Sequence, residues 1–289
     1  MSMKTIASRT RDLITGLSIP VQSSMGQKVR DALDGPSPNL ASLTTDTGQD
    51  IALAGCVLQR ANMESRTLRG SVDSVEQGIL LLGLERLRQI LRDPIRKSLR
   101  EGGENGLSWI CERGVQVGRV AGWLAGELPR LAVHFHGGAL HPVTPDTAYA
   151  LGLLHDCGLM ALGLRLPEYA VFYQEEVTRF GYMRVAEEWR LFGTDHGLAG
   201  ALVARRWCLP EAFCQAICDH NQEGGILQPG RRVALRHAAT LCGILNLAEW
   251  ILARSEDQPL PRLPDGIFAF FGMAPSDLDR LYQARREIA

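Results

Sequence analysis

The stretch from Ala150 to Leu164 constrains the fold of this chain most, because it is almost wholly apolar yet carries His155 and Asp156 at its centre. At fifteen residues it is too short to cross a bilayer comfortably, and it has the length of a helix buried inside a domain. A buried carboxylate without a partner is costly. Asp156 therefore predicts a partner close by: a metal ion, an Arg or Lys side chain, or a set of hydrogen-bond donors.

The boundaries of this central helix are predicted from the residues around it. Asp146 or Thr147 is expected to begin the helix, because both side chains can accept a hydrogen bond from a free backbone N–H at a helix start. Pro167 is expected to help end it, because proline has no N–H to donate.

Apolar periodicity predicts further helices on the N-terminal side. Residues 51–61 place their apolar side chains on one broad helical stripe. Ser74 precedes Gln77 by three residues, a capping-box spacing that predicts the start of a helix running through residues 78–91. No segment shows the strict alternation of several successive strands, so the sequence predicts an all-α fold.

Composition limits the classes of partner. At 289 residues and 45% hydrophobic, the chain can bury a substantial core in one large domain or two small ones. Its 31 basic and 32 acidic residues give a formal charge of −1, so bulk electrostatics give no reason to expect a nucleic-acid or membrane partner. The basic run from Arg86 to Arg100 is interpreted as a solvated helix face.

The cysteines indicate a compartment. All seven lie in apolar, helix-like segments, and no signal peptide is recognised, so a reducing cytoplasm is expected. Cys214 and Cys218 are four residues apart near His220, a spacing that a soft metal site also uses. Buried helix cysteines are the preferred interpretation.

Several segments, in order along the chain, resemble the HDOD family, the HD-related output domain of bacterial signalling proteins. The segment 50–62 is similar to the family's early helix ending in Ala-Asn, and Leu82-Gly83 to its Leu-Gly segment. The His155-Asp156 pair follows, and residues 195–221 combine a histidine, a Trp-x-x-Pro-like turn and a terminal histidine. The resemblance covers roughly residues 30–250.

This resemblance implies a domain organisation. It implies an HD-like bundle of many helices at 30–255, preceded by an N-terminal arm or lead-in helix at 1–29 and followed by a small C-terminal helical extension at 256–289.

The resemblance also identifies what differs from the related HD phosphohydrolases. Those enzymes hold a metal with an early histidine, the His-Asp pair and a late aspartate. Here Arg113, or Gly114 after an offset of one, stands at the first position, and Ala239 stands where the late aspartate is expected. Two of four ligands are replaced, so a degenerate metal site with no bound cofactor is expected.

Two further histidines support an alternative. His196 and His220 resemble extra ligand positions in the cyclic-dinucleotide-cleaving relatives with the HD-GYP signature, although this chain has no Gly-Tyr-Pro motif. If both converge on His155 and Asp156, three imidazoles and one carboxylate could bind iron, zinc or manganese. In the preferred interpretation they are hydrogen-bonded histidines of a residual cleft.

Arg113 offers a different partner for Asp156. Because a permanent cation stands where a metal-binding histidine is expected, we hypothesise a charge-assisted pair, single or bidentate, between the two side chains. The residual cleft then comprises five side chains: Arg113, His155, Asp156, His196 and His220.

Two functions of different class follow from these observations. The preferred one is a non-catalytic signalling or scaffolding module that recognises a signalling protein or a small ligand. The alternative is a metal-dependent phosphohydrolase acting on a nucleotide or cyclic dinucleotide, with His155, Asp156, His196 and His220 as ligands.

Overall fold

The computed structural model describes residues 3–65, 71–101, 107–131, 141–180, 184–222, 227, 236–264 and 266–287. Every regular element in these ranges is a helix, so the predicted all-α fold is confirmed. The first helices are α1 (Met3–Ile14), α2 (Ser23–Asp34), α3 (Leu40–Thr47), α4 (Ile51–Ser65), α5 (Val75–Glu101), α6 (Ser108–Leu131) and α7 (Pro145–Leu154). The others are α8 (Cys157–Arg165), α9 (Pro167–Phe180), α10 (Arg184–Phe192), α11 (His196–Arg206), α12 (Glu211–Asp219), α13 (Arg236–Ser255), α14 (Ile267–Phe271) and α15 (Pro275–Arg286).

The central apolar segment forms two helices, and the prediction of one continuous helix was wrong. α7 ends at Leu154, α8 begins at Cys157, and His155 and Asp156 lie in the turn between them. The backbone of Asp156, with φ −94° and ψ 15°, departs from helical geometry. The break leaves the apolar pattern on both sides intact, which is why periodicity did not reveal it.

The start of α7 also differs from the prediction. Thr144 is the N-cap, and its hydroxyl oxygen accepts a hydrogen bond from the backbone N–H of Thr147 at 3.1 Å. Pro145 occupies the first turn, where its missing N–H is no loss. Residues 145–165 are long and apolar enough to cross a membrane, but 83% of an apolar 18-residue window within them is buried inside the protein, as expected of a core element.

α6 and α7 pack at backbone distance. A Cβ atom added at Gly114 would lie 2.6 Å from the carbonyl oxygen of Leu153, and one at Gly118 would lie 2.8 Å from that of Tyr149. Only glycine permits this approach. The packing fixes the position of α6, and with it Arg113, against the turn that carries His155.

Two buried polar side chains brace the N-terminal half. Asp50 accepts hydrogen bonds from the backbone N–H groups of Leu53 and Gln22, both at 2.8 Å, and so caps α4. Asn62 exchanges two hydrogen bonds with the backbone of Val72 and donates a third to the carbonyl of Leu58. These hydrogen bonds explain why a polar residue, Asp50 or Asn62, lies at each end of the apolar segment of α4.

The start of α5 was predicted correctly. Ser74 accepts a hydrogen bond from the backbone N–H of Gln77 at 3.2 Å, so the predicted cap is confirmed. The helix is kinked at Gly83, whose φ of 70° and ψ of 168° are not helical, and the prediction of an uninterrupted helix over 78–91 was wrong.

The terminal helices pack on the main bundle. α1 contacts α8 and α11, where the Thr10 and Thr194 hydroxyls lie 2.8 Å apart and are buried. Arg254 at the end of α13 pairs with Asp279 of α15 at 2.5 Å.

The predicted domain boundary at 29/30 falls inside α2, while that at 255/256 coincides with the end of α13. The three-part domain organisation stays a prediction.

Candidate functional site

A cluster of ionisable side chains lies where six helices meet, and we call it the polar cluster. Its members come from α6, the α7–α8 turn, the first residue of α11, the residue after α12, and α13: Arg113, His155, Asp156, His196, His220 and Glu249. All five residues of the predicted cleft therefore lie together, joined by Glu249. Gly114, the alternative to Arg113, faces the α7 backbone instead.

Each histidine of the cluster is oriented through its Nδ1 atom. His155 donates to the carbonyl of Gly152 at 2.6 Å, and His220 donates to that of Ile217 at 2.7 Å. Both acceptors lie three residues earlier in the chain, so a local helical turn holds each ring. The Nε2 atom of each ring therefore points away from its own helix and into the cluster.

The third imidazole is held by a carboxylate. One oxygen of Glu188 on α10 lies 2.8 Å from His196 Nδ1, and the other accepts the backbone N–H of the same histidine at 2.7 Å. Asp195 caps α11 by accepting from the backbone N–H of Leu198 at 2.7 Å. Partners on Nδ1 of this kind fix the tautomer of metal-binding histidines.

The three Nε2 atoms differ in their partners. The side-chain amide of Asn221 makes a hydrogen bond of 3.0 Å with Nε2 of His196. Nε2 of His155 and Nε2 of His220 are buried and have no hydrogen-bond partner. Most buried polar atoms in proteins have one. Two convergent imidazole nitrogens of this kind are potential binding atoms for a proton or a cation.

Two carboxylates complete the polar cluster. An Asp156 oxygen lies 3.2 Å from Nε2 of His155, and the other lies 3.9 Å from Nε2 of His220. Glu249 lies 3.6 Å from Nε2 of His155. Two overlapping groups have potential ligand atoms within 4.8 Å of one another: His155, His220 and Glu249, and Asp156, His196 and His220. The donor set of nitrogens and oxygens fits zinc, iron or manganese.

Arg113 contacts both acids at longer range than we hypothesised. Its Nε atom lies 4.0 Å from Asp156, and its Nη2 atom lies 3.5 Å from Glu249. The first distance is an ion pair without a hydrogen bond. Arg113 therefore pairs with Asp156 as hypothesised, although the pair is not bidentate, and Glu249, which the sequence analysis did not identify, binds the other end of the guanidinium from α13.

The electrostatics of the cluster follow from burial and mutual attraction. Burial lowers the pKa of His155, but Asp156 and Glu249 outweigh it and raise that pKa to about 10. Burial also lowers the pKa of His196, and Glu188 raises it to about 9. For His220 burial dominates, and its pKa falls to about 4.

The acids respond in the opposite sense. Burial raises the pKa of both carboxyls, but His155 above all lowers the pKa of Asp156 far below its usual range and that of Glu249 to about 2. Asp156 and Glu249 thus face the positive charges of Arg113 and His155, and the four groups stabilise one another's charges.

The cluster is closed to solvent. His155, Asp156, His196 and His220 are at most 2% exposed, whereas 24% of the Arg113 side chain is accessible. Arg113 is therefore the most accessible of the five residues of the predicted cleft.

Sequence reasoning missed three residues of this region: Glu188, Asn221 and Glu249. Glu249 carried a signal, because it is a lone acid in the apolar α13 sequence, as Asp156 is in its own segment. The family resemblance instead indicated Ala239 as the position of the late acid, and Ala239 lies ten residues earlier on α13, about 15 Å away along the helix axis.

The suggested cysteine site is not formed in the described residues, where neither potential metal-binding group includes a cysteine. Cys214 donates to the carbonyl of Leu209, and burial raises the pKa of Cys214 and of Cys218 to about 12. Cys214 is a buried helix cysteine, and Cys218 is a half-buried one.

Comparisons with known proteins agree with this architecture. The protein-family model of the HDOD domain matches residues 19–223 of this chain. A crystal structure of the MmoQ response regulator from Methylococcus capsulatus is 23% identical, covers 93% of this chain and 99% of that chain, and has a TM-score of 0.64. A fragment of that regulator is 26% identical over 90% of this chain and 94% of that one, with a TM-score of 0.58.

A virulence factor from Campylobacter jejuni has a similar fold, with 14% identity, coverage of 97% and 98%, and a TM-score of 0.55. No curated protein matches the chain.

Proposed function

Because the chain belongs to the HDOD family, we propose that it is a non-catalytic signal-transduction module that acts by binding a signalling protein. The likeness to a response regulator, 26% identical over 90% of this chain, fits a signalling role. In this proposal the polar cluster stabilises the fold around the binding surface and performs no chemistry.

The observation that carries the proposal is the closure of the polar cluster. A catalytic metal centre needs open positions for water and substrate. Here Asp156 and the three histidines are buried, and the guanidinium of Arg113 lies against Asp156 and Glu249 on the accessible side. Among the described residues, burial of the three imidazoles behind Arg113 speaks against direct contact with a phosphoester.

The proposal is tested by assaying phosphodiesterase activity. The protein is purified without chelators and assayed with cyclic dinucleotides and p-nitrophenyl phosphoesters in the presence of iron, zinc or manganese. We expect no turnover above that of Asp156→Asn. Stoichiometric metal together with hydrolysis that Asp156→Asn abolishes would overturn the proposal.

The binding half of the proposal needs a separate measurement. Proximity labelling in cells identifies candidate partners, and each is then purified and titrated against wild-type protein and Asp156→Asn. We expect at least one partner to bind both proteins with the same dissociation constant. If no candidate binds the purified protein, the adaptor role is wrong.

A second function is favoured by one observation, the two unpartnered Nε2 atoms of His155 and His220. These nitrogens, with Glu249, Asp156 and His196, would hold a divalent ion. When bound, such an ion supplies Lewis-acid activation of a phosphoester. His196 would then exchange its hydrogen bond with Asn221 for a bond to the ion, making this chain a metal-dependent phosphohydrolase.

A further inference from the structure

We propose that Arg113 is an internal cation that competes with a divalent metal ion for the polar cluster. When its charge is removed, His155, His220 and Glu249 bind the ion. This inference rests on the proposed function, since it takes the wild-type cluster to be closed by Arg113, and it adds the residue that keeps it closed.

The first argument is that the donor atoms are already in place. Nε2 of His155, Nε2 of His220 and a Glu249 carboxylate oxygen lie within 4.8 Å of one another. The two nitrogens are fully buried and unpartnered. Their rings are held by Nδ1 bonds to backbone carbonyls, so no rotation of the histidines is needed, and the proton on Nε2 of His155 is released when the ion binds.

The second argument is that Arg113 contacts the same atoms that a metal ion would use. Oε1 of Glu249 lies 3.5 Å from Nη2 of Arg113 and 3.6 Å from Nε2 of His155. Oδ2 of Asp156 is shared in the same way, at 4.0 Å from Arg113 and 3.2 Å from His155. Each acid therefore turns one oxygen to both the guanidinium and the imidazole.

The third argument is electrostatic. An ion bound between His155 and Glu249 would lie within a few ångströms of the guanidinium, and the two positive charges would repel each other at low dielectric. Arginine cannot relieve this repulsion by losing a proton. The guanidinium would therefore have to move outward for the ion to bind. Because the Arg113 side chain is partly accessible, an uncharged side chain can replace it without leaving a new charge buried.

The test compares metal affinity in matched variants of the tag-free protein. Arg113→Met removes the charge and keeps the apolar stem, whereas Arg113→Lys keeps a charge. Arg119→Met removes an exposed arginine from the same helix and is the control. Mn²⁺ is the probe, because the chain has seven free thiols that would bind softer ions. Free Mn²⁺ is measured by electron paramagnetic resonance during titration.

We expect Arg113→Met to bind one Mn²⁺ per chain at least tenfold more tightly than wild type, with Arg113→Lys and Arg119→Met unchanged. Adding His220→Ala to Arg113→Met should remove the gain. Equal affinity in wild type and a folded Arg113→Met would overturn the inference. If circular dichroism shows that Arg113→Met does not fold, the same comparison is made with Arg113→Gln.

The outcomes separate the two proposals. Phosphoester hydrolysis by wild-type protein counts against the proposed function and leaves the affinity comparison intact. Tight Mn²⁺ binding by wild type without hydrolysis refutes the role of Arg113 and leaves the non-catalytic function standing.

Discussion

Asn62 and His220 are both buried polar side chains in this bundle, but their surroundings differ. Every polar atom of the Asn62 amide has a partner, either in Val72 or in Leu58. His220 has a partner on Nδ1 and none on Nε2. The Asn62 amide has all its hydrogen bonds made, and its role is to link α4 to the segment before α5. The hydrogen bonding of His220 is incomplete, which marks the polar cluster as a place with a further role.

The same contrast appears between the acids. Asp50 is buried and satisfied by backbone N–H groups, so its partners are fixed by the chain itself. Asp156 and Glu249 are buried against ionisable side chains, so their partners change with protonation or ligand binding. Buried polar groups of the first kind are structural, whereas those of the second kind can respond to a signal.

The largest expected effect is that of Asp156→Ala. Its removal leaves His155 and Arg113 with Glu249 as their one remaining shared counter-charge and should lower the free energy of unfolding by about 3 to 5 kcal/mol. Asp93→Ala, at a side chain 78% exposed, is the control and should change it by less than about 0.5 kcal/mol. Urea denaturation measures both. A small effect at Asp156 would show that the cluster is not a coupled unit.

Asn62→Ala should have the next largest effect. It leaves the N–H and C=O of Val72 unsatisfied in a buried site, and a loss of about 2 to 4 kcal/mol in the free energy of unfolding is expected. Asn39→Ala removes an exposed helix cap and should cost about 1 kcal/mol. If the two variants lose equal stability, the brace is no stronger than a surface cap.

Asp50 should make stability depend on pH. Burial raises its pKa to about 6, against the hydrogen bonds that lower it. Because the folded protein holds this proton more tightly than the unfolded chain, the contribution is full below about pH 4 and is lost as pH rises through 6. The loss amounts to about 2 to 3 kcal/mol.

Asp50→Asn isolates this effect, since the histidines of the polar cluster titrate alike in both proteins. The neighbouring thiols of Cys56 and Cys111 have pKa values raised by burial to about 11 and 12 and stay neutral in this range. The difference in unfolding free energy between variant and wild type should shift between pH 4 and 6.5. A difference that stays constant would contradict the assignment.

The smallest expected effect concerns the packing that positions the cluster. Gly114→Ala would place a Cβ 2.6 Å from the carbonyl of Leu153, so α6 must move and about 1 to 3 kcal/mol of stability should be lost. Gly126→Ala on the same helix meets nothing within 4 Å and should stabilise by about 0.5 to 1 kcal/mol. If thermal denaturation shows a lower melting temperature for Gly114→Ala and a higher one for Gly126→Ala, the close α6–α7 packing is important for stability.

Much of the fold was predictable because apolar periodicity and capping residues identify helices in a sequence. Ser74 was predicted correctly as a cap from local chemistry alone. The turn at His155 and Asp156 was not predicted, because a single backbone angle at Asp156 separates two helices without disturbing the apolar pattern. The kink at Gly83 escaped for a similar reason, since glycine is tolerated inside helices as well as at breaks.

The site was predictable only in part. The four residues His155, Asp156, His196 and His220 were grouped through a family resemblance, which supplied the spatial relation that sequence spacing lacks. Glu249 lies on a helix far along the chain, and no local pattern shows that it faces His155. Glu188 lies on a short helix with other charged residues, so nothing distinguishes it from a solvated acid.

The break between α7 and α8 has a consequence for the field inside the protein. α8 starts beside Asp156, and α11 starts at His196, so two helix amino termini meet at the polar cluster. Each carries roughly half a positive charge from its aligned peptide dipoles. Backbone as well as side chains therefore favours anions at this position. Replacing Arg113 removes only part of the positive potential at Asp156, and the peptide groups supply the rest.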